Sequence, residues 1–103
     1  MAKKPDKNSL EIKLLSKAYL YNKRLIIESN EHICKRNYDS LKASLKIVKH
    51  IEYCASSLEE KNRFIIKNEV IDGKTGKWYK EYFSAPTYYR IRKQAYEEFL
   101  RCL

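Results

Sequence analysis

The stretch Trp78-Tyr79-Lys80-Glu81-Tyr82-Phe83-Ser84-Ala85-Pro86-Thr87-Tyr88-Tyr89-Arg90-Ile91-Arg92-Lys93-Gln94-Ala95-Tyr96-Glu97-Glu98-Phe99-Leu100 decides the reading of the chain. The Ser84 hydroxyl can accept a hydrogen bond from the first turn of a helix, and Pro86 fits there because first-turn N–H groups lack intrahelical partners. Ser84-Ala85-Pro86 therefore reads as the stop of a short helix over residues 77–83 and the start of a longer one over 85–102. At about 100° per residue, Tyr88, Ile91, Ala95, Phe99 and Cys102 share one face of that last helix, with Tyr96 on its boundary. Pro86, Tyr89, Arg90, Lys93 and Glu97 share the opposite face. An apolar face seated on earlier helices, with an aromatic, an arginine and a lysine outward near the helix start, is what a recognition helix needs. Arg90 is placed to pair with a guanine edge, Tyr89 and Thr87 to meet a thymine methyl or a phosphate, and Lys93 to meet a phosphate. Lys77 and Lys80 add positive charge just before it, and Glu97 marks where such a surface ends.

Upstream, the loop Asp72-Gly73-Lys74-Thr75-Gly76 holds both glycines of the protein and is its clearest break. A third helix before it is expected to start at Ser57, with Glu60 completing an S-x-x-E capping box, and to carry Phe64, Ile65 and Val70. Two longer helices precede that one. The first begins near Asn8, with Glu11 at capping-box spacing, and bears the stripe Leu10, Leu14, Ala18, Tyr21 and Leu25 before an interruption at Ser29-Asn30-Glu31. The second covers about residues 38–54, capped by Asn37 or Asp39, with Leu41, Leu45, Val48, Ile51 and Ala55 inward. Two such helices on a short connection should pack as an antiparallel hairpin. The expected fold is all-α with about five helices in a single domain: a basic N-terminal helical hairpin over 8–56, packed on a tri-helical helix-turn-helix unit over 57–103.

The net charge is +9, and it is uneven. Residues 1–50 hold 12 Lys/Arg against 5 Asp/Glu, and residues 51–103 hold 10 against 8. A basic domain of this size points to a polyanionic partner, nucleic acid ahead of a membrane surface. No apolar run is long enough to cross a membrane, and the charged N-terminus has no apolar region of a signal peptide behind it. Cys34, Cys54 and Cys102, an odd number without a CxxC pair, fit free thiols in a reducing cytoplasm. The wealth of Lys, Ile, Asn and Tyr points to an AT-rich bacterial genome.

Catalytic and metal chemistry find little footing. Gly73-Lys74-Thr75-Gly76-Lys77 lacks the GxxxxGK[ST] spacing of a phosphate loop, and Trp78 stands where a hydroxyl should meet magnesium. His50-x-x-x-Cys54 lies one helical turn apart, but His32-x-Cys34 is a poor second pair for zinc. No base activates a cysteine nucleophile. The expectation is no enzyme, no catalytic residue, no cofactor and no metal.

Residues 58–103 resemble the region-4 type helix-turn-helix of sigma-70 factors, in the divergent form of phage ArpU-like regulators and short mollicute proteins. The likeness rests on Arg63 with Phe64-Ile65, the glycine-bearing loop, the Trp78-Tyr79 to Phe83 segment, and Ser84-x-x-Thr87-Tyr88-Tyr89-Arg90 with Ala95 and Phe99 behind it. It implies that Ala85, Thr87, Tyr89, Arg90 and Lys93 read double-stranded DNA. The chain departs from the family in its aromatic-rich segment before the turn and in lacking the upstream sigma regions. The expected function is a cytoplasmic DNA-binding transcriptional regulator, with homodimerisation through the first two helices open. Two alternatives stand beside it: a small helical adaptor binding RNA polymerase or another protein, and RNA binding through the basic N-terminal half.

Overall fold

A computed structural model describes residues 7–31 and 38–103, with side chains for 7–28 and 41–103. Every regular element among them is helical. α1 spans Lys7–Glu31, α2 Tyr38–Ser56, α3 Glu60–Ile66 and α4 Ala85–Cys102. α3 continues into a π-helical turn, Lys67–Ile71, and a single turn of 3-10 helix covers Trp78–Glu81. The described residues thus form four α-helices rather than five. Where a further helix was expected over 77–83, the backbone makes only the 3-10 turn. A helix that short is not held by its own hydrogen bonds, and ring packing sets its path instead. Trp78, Tyr82 and Phe83 all turn onto Phe64, at centroid distances of 5.8, 5.0 and 6.0 Å. The unit therefore does not present two α-helices across the Ser84 turn.

Two helix boundaries also differ from expectation. α1 runs through Ser29-Asn30-Glu31, a segment with no glycine or proline to stop it. α3 begins at Glu60 rather than Ser57, because the Ser57 hydroxyl donates backward to the Cys54 carbonyl at 2.9 Å instead of capping forward. The cap candidate Asn37 and the pair His32 and Cys34 lie outside the described residues.

The face that α1 buries is not the leucine stripe. Leu10, Leu14 and Tyr21 are 48, 66 and 64% exposed, while Ser9, Ile12, Ser16 and Tyr19 are buried. Both sets recur at steps of three and four, so helical periodicity alone does not choose between them. The small serines let α1 approach closely. Ser16 Oγ donates to the Val70 carbonyl at 3.0 Å, and Tyr19 donates to Glu52 on α2 at 2.6 Å. On α2, Val48, Ile51 and Ala55 are buried as the pattern requires, with Leu41 and Leu45 half-buried.

One core joins all of this. Ile12 and Tyr19 of α1, Val48 and Ile51 of α2, Ile65, Ile66 and Val70 from the α3 segment, and Ile91, Ala95 and Phe99 of α4 belong to a single cluster. Cys54, at the end of α2, is bonded to Cys102 at the end of α4, with Cα atoms 5.7 Å apart. This corrects the expectation of free thiols for these two, since the helix ends meet at disulfide distance. Among the described residues, no helix is long and apolar enough to cross a membrane.

Candidate nucleic-acid interface

α4 starts at the turn that the sequence marks, with Pro86 in its first turn and the Ser84 backbone extended at φ −69°, ψ 158°. The Ser84 side chain does not cap the backbone as expected. It donates to the Thr87 hydroxyl at 3.0 Å, while the Tyr88 N–H closes the first turn on the Ser84 carbonyl at 2.9 Å. Thr87 is thereby half-buried and occupied, and Ala85 is exposed beside it. Tyr88, Ile91, Ala95 and Phe99 face the core, and Tyr96, expected on the boundary, is buried with them.

The outward side of α4 carries Tyr89, 52% exposed, with Arg90, Lys93 and Glu97 also exposed. Neither Arg90 nor Lys93 takes part in an ion pair among the described residues. Lys77 and Lys80 are exposed too, at either side of the 3-10 turn's first residues. Tyr89 and Lys93 line one shallow depression together with Lys7 and Asn8 of α1. Arg90 does not line it.

Beneath this surface is a polar cluster that the sequence did not reveal. Glu69, in the π turn, accepts hydrogen bonds from Trp78 Nε1 at 3.0 Å and from the hydroxyls of Tyr88 and Tyr96. Burial, and then the Glu69 carboxylate, push both phenols above their ordinary range, so they stay neutral donors. Arg92 donates to Ser9 Oγ of α1, and its guanidinium lies 4.8 Å from the Tyr96 ring centroid and 5.5 Å from that of Tyr89. Burial opposes its charge, but the Tyr96 and Tyr88 hydroxyls and Glu69 outweigh this and keep the guanidinium protonated. Tyr79 stacks on Tyr88, rings 3.7 Å apart and 6° from parallel.

Sequence reading missed Glu69 and Arg92. Glu69 stands in the polar triplet Lys67-Asn68-Glu69 between Ile65-Ile66 and Val70-Ile71, where nothing local sets it apart as the shared acceptor. Arg92 sits at the edge of the apolar face on the helical wheel and gave no signal either. His50 Nε2 lies 3.9 Å from Cys54 Sγ, but that sulfur is in the disulfide. The chain matches no protein-family model, no curated protein and no solved structure.

Proposed function

We propose that the chain binds double-stranded DNA and acts in transcription, with the N-terminal half of α4 lying against the duplex. The observation that carries this reading is the exposed trio Tyr89, Arg90 and Lys93 on the first turns of α4. Neither cation is matched by a carboxylate within ion-pair distance among the described residues. Exposed Lys77 and Lys80 extend the positive surface toward the loop, where they would meet phosphates rather than bases. The resemblance to the sigma-70 region-4 type supports the same side of the molecule. Since one 3-10 turn stands in place of its expected partner helix, α4 must be held by α3, α1 and the aromatic cluster instead.

The test is binding to a selected duplex across a range of salt. Arg90→Ala should weaken the preferred sequence by about 1–3 kcal/mol and flatten sequence preference, whereas Lys93→Ala should weaken all duplexes alike and reduce the salt slope by about 1. Unchanged affinity and slope in both variants would refute the assignment.

A second reading, a helical adaptor docking on RNA polymerase or another protein, is favoured by one observation. Leu10, Leu14 and Tyr21 leave an apolar stripe exposed along α1, and such stripes mark protein contacts. Capture of a partner that survives high salt, with no DNA retained at low salt, would support it over the first.

A further inference from the structure

A groove of about 580 Å³ opens between the N-terminal half of α1, the loop after the π turn and the start of α4. Small-molecule sites run from roughly 300 to 1,000 Å³. We propose that this groove binds a planar aromatic anion of mononucleotide size, a ring carrying a phosphate.

The charge argument comes first. Lys13 and Lys17 of α1 and Lys74 of the loop line the groove, and none of them is in an ion pair among the described residues. Arg92 lines it as well, fixed by Ser9 and by the Tyr89 and Tyr96 rings. A guanidinium held on several sides loses little side-chain freedom when an anion arrives. The carboxylate of the groove, Glu69, already accepts from Trp78, Tyr88 and Tyr96, and does not present a bare negative charge to a ligand.

The second argument is the ring surface. Trp78 is half-buried and Tyr89 half-exposed, so each offers part of its ring to the groove. Lys74 Nζ lies over the Trp78 ring, 6.0 Å from its centroid, which puts a cation beside that ring surface. A base stacked on such a ring gains whatever its identity, since every base has a π-face. The walls are built rather than loose. Ser16 holds the Val70 carbonyl, and the Lys74 N–H bonds the Asn68 carbonyl at 2.9 Å, which ties the loop to the π turn. A Cβ at Gly76 would meet nothing within 4 Å, so the loop leaves its side of the groove open.

Trp78 is the single tryptophan of the chain, so its fluorescence reports occupancy directly. The intact protein is titrated with adenosine 5′-monophosphate, guanosine 5′-monophosphate, adenosine alone, inorganic phosphate and a short duplex, with heats of binding measured in parallel. The expected result is saturable binding of the mononucleotides, with adenosine and phosphate each at least about tenfold weaker, a difference of about 1.4 kcal/mol. Lys17→Ala and Lys74→Ala should each weaken the mononucleotide several-fold while circular dichroism stays unchanged. Arg90→Ala should leave it untouched, since Arg90 does not line the groove; the DNA reading and this one can therefore fail separately. Absence of saturation in the millimolar range, equal affinity in both lysine variants, or a response to the duplex alone would overturn the proposal.

Discussion

Removing the Glu69 carboxylate tests what holds α4 in place. In Glu69→Leu, Trp78 Nε1 and the Tyr88 and Tyr96 hydroxyls lose one shared acceptor. Hydrogen bonds to a charged group contribute about 1.5–3 kcal/mol each, and a buried donor left unpaired costs a similar amount. Simple addition would give about 4–9 kcal/mol, but the three bonds share one acceptor and the groove admits water to part of the cluster, so about 3–5 kcal/mol is expected. Against a total stability of roughly 5–15 kcal/mol that is a large fraction. With a urea dependence of about 1.5 kcal/mol per molar, the unfolding midpoint should fall by about 2–3 M. Tyr96→Phe removes one of the three bonds and should lower stability by about 1.5–2.5 kcal/mol. The decisive control is Glu69→Leu combined with Tyr88→Phe and Tyr96→Phe. Taking away two stranded hydroxyls along with the acceptor should recover part of the loss, since replacing both partners by apolar groups can be nearly neutral. If Glu69→Leu unfolds within about 1 kcal/mol of the parent, or the triple variant is worse than the single one, the carboxylate is not what organises these rings.

The Cys54–Cys102 bond closes a segment of 48 residues, for which loop-closure entropy corresponds to about 4 kcal/mol. Cys102→Ser should lower stability by about 2–4 kcal/mol in oxidising buffer and leave it level with the parent in reductant; equal unfolding midpoints in oxidising buffer would refute this. Tyr19, Tyr88 and Tyr96 all have raised phenol pKa values, chiefly through burial. Their contribution to stability is present below the ordinary phenol value of about 10 and is lost as pH climbs above it toward the folded-state values. In an absorbance titration, ionisation of Tyr19, Tyr88 and Tyr96 should therefore accompany unfolding rather than precede it; nine phenolates in the folded protein near pH 10 would contradict the burial. Gly73 and Gly76 have φ of +67° and +70°, so alanine at either should cost about 1–2 kcal/mol. The Gly73 Cβ would also come within 2.9 Å of Leu20 Cδ1, but that half-exposed side chain can swing aside; melting temperatures of the two variants should match, and a much lower one for Gly73→Ala would show Leu20 to be fixed.

How much of this was legible in the residues depends on what set each feature. α4 was readable because Ser84 and Pro86 mark its start and one apolar stripe outnumbers every alternative. α1 was readable as a helix but not in its orientation. Its leucines promise burial, while the face that wins carries Ser9 and Ser16, whose value lies in close approach and in a bond to a carbonyl 54 residues away. The single turn at Trp78–Glu81 was masked for the same reason: nothing local announces that Trp78, Tyr82 and Phe83 will all converge on Phe64. At the candidate interface, the outward placement of Tyr89, Arg90 and Lys93 followed from the wheel. The Glu69 cluster did not, since the carboxylate and its donors come from three separate segments, the π turn, the 3-10 turn and α4.

The π turn at Lys67–Ile71 closes with the Asp72 N–H on the Lys67 carbonyl, five residues back, at 2.9 Å. A π turn carries one residue more than an α turn, so deleting one amino acid from it would return α3 to a regular α-helix and leave the chain beyond nearly in register, while changing which side chain stands where Glu69 meets its three donors. The loop that follows, with Gly76 open to solvent, can change length at little expense. Among random single-codon deletions, survivors should therefore gather in residues 74–77, and within 67–71 they should be found only where a carboxylate still faces Trp78, Tyr88 and Tyr96. In that turn, where the carboxylate stands matters more than how many residues surround it.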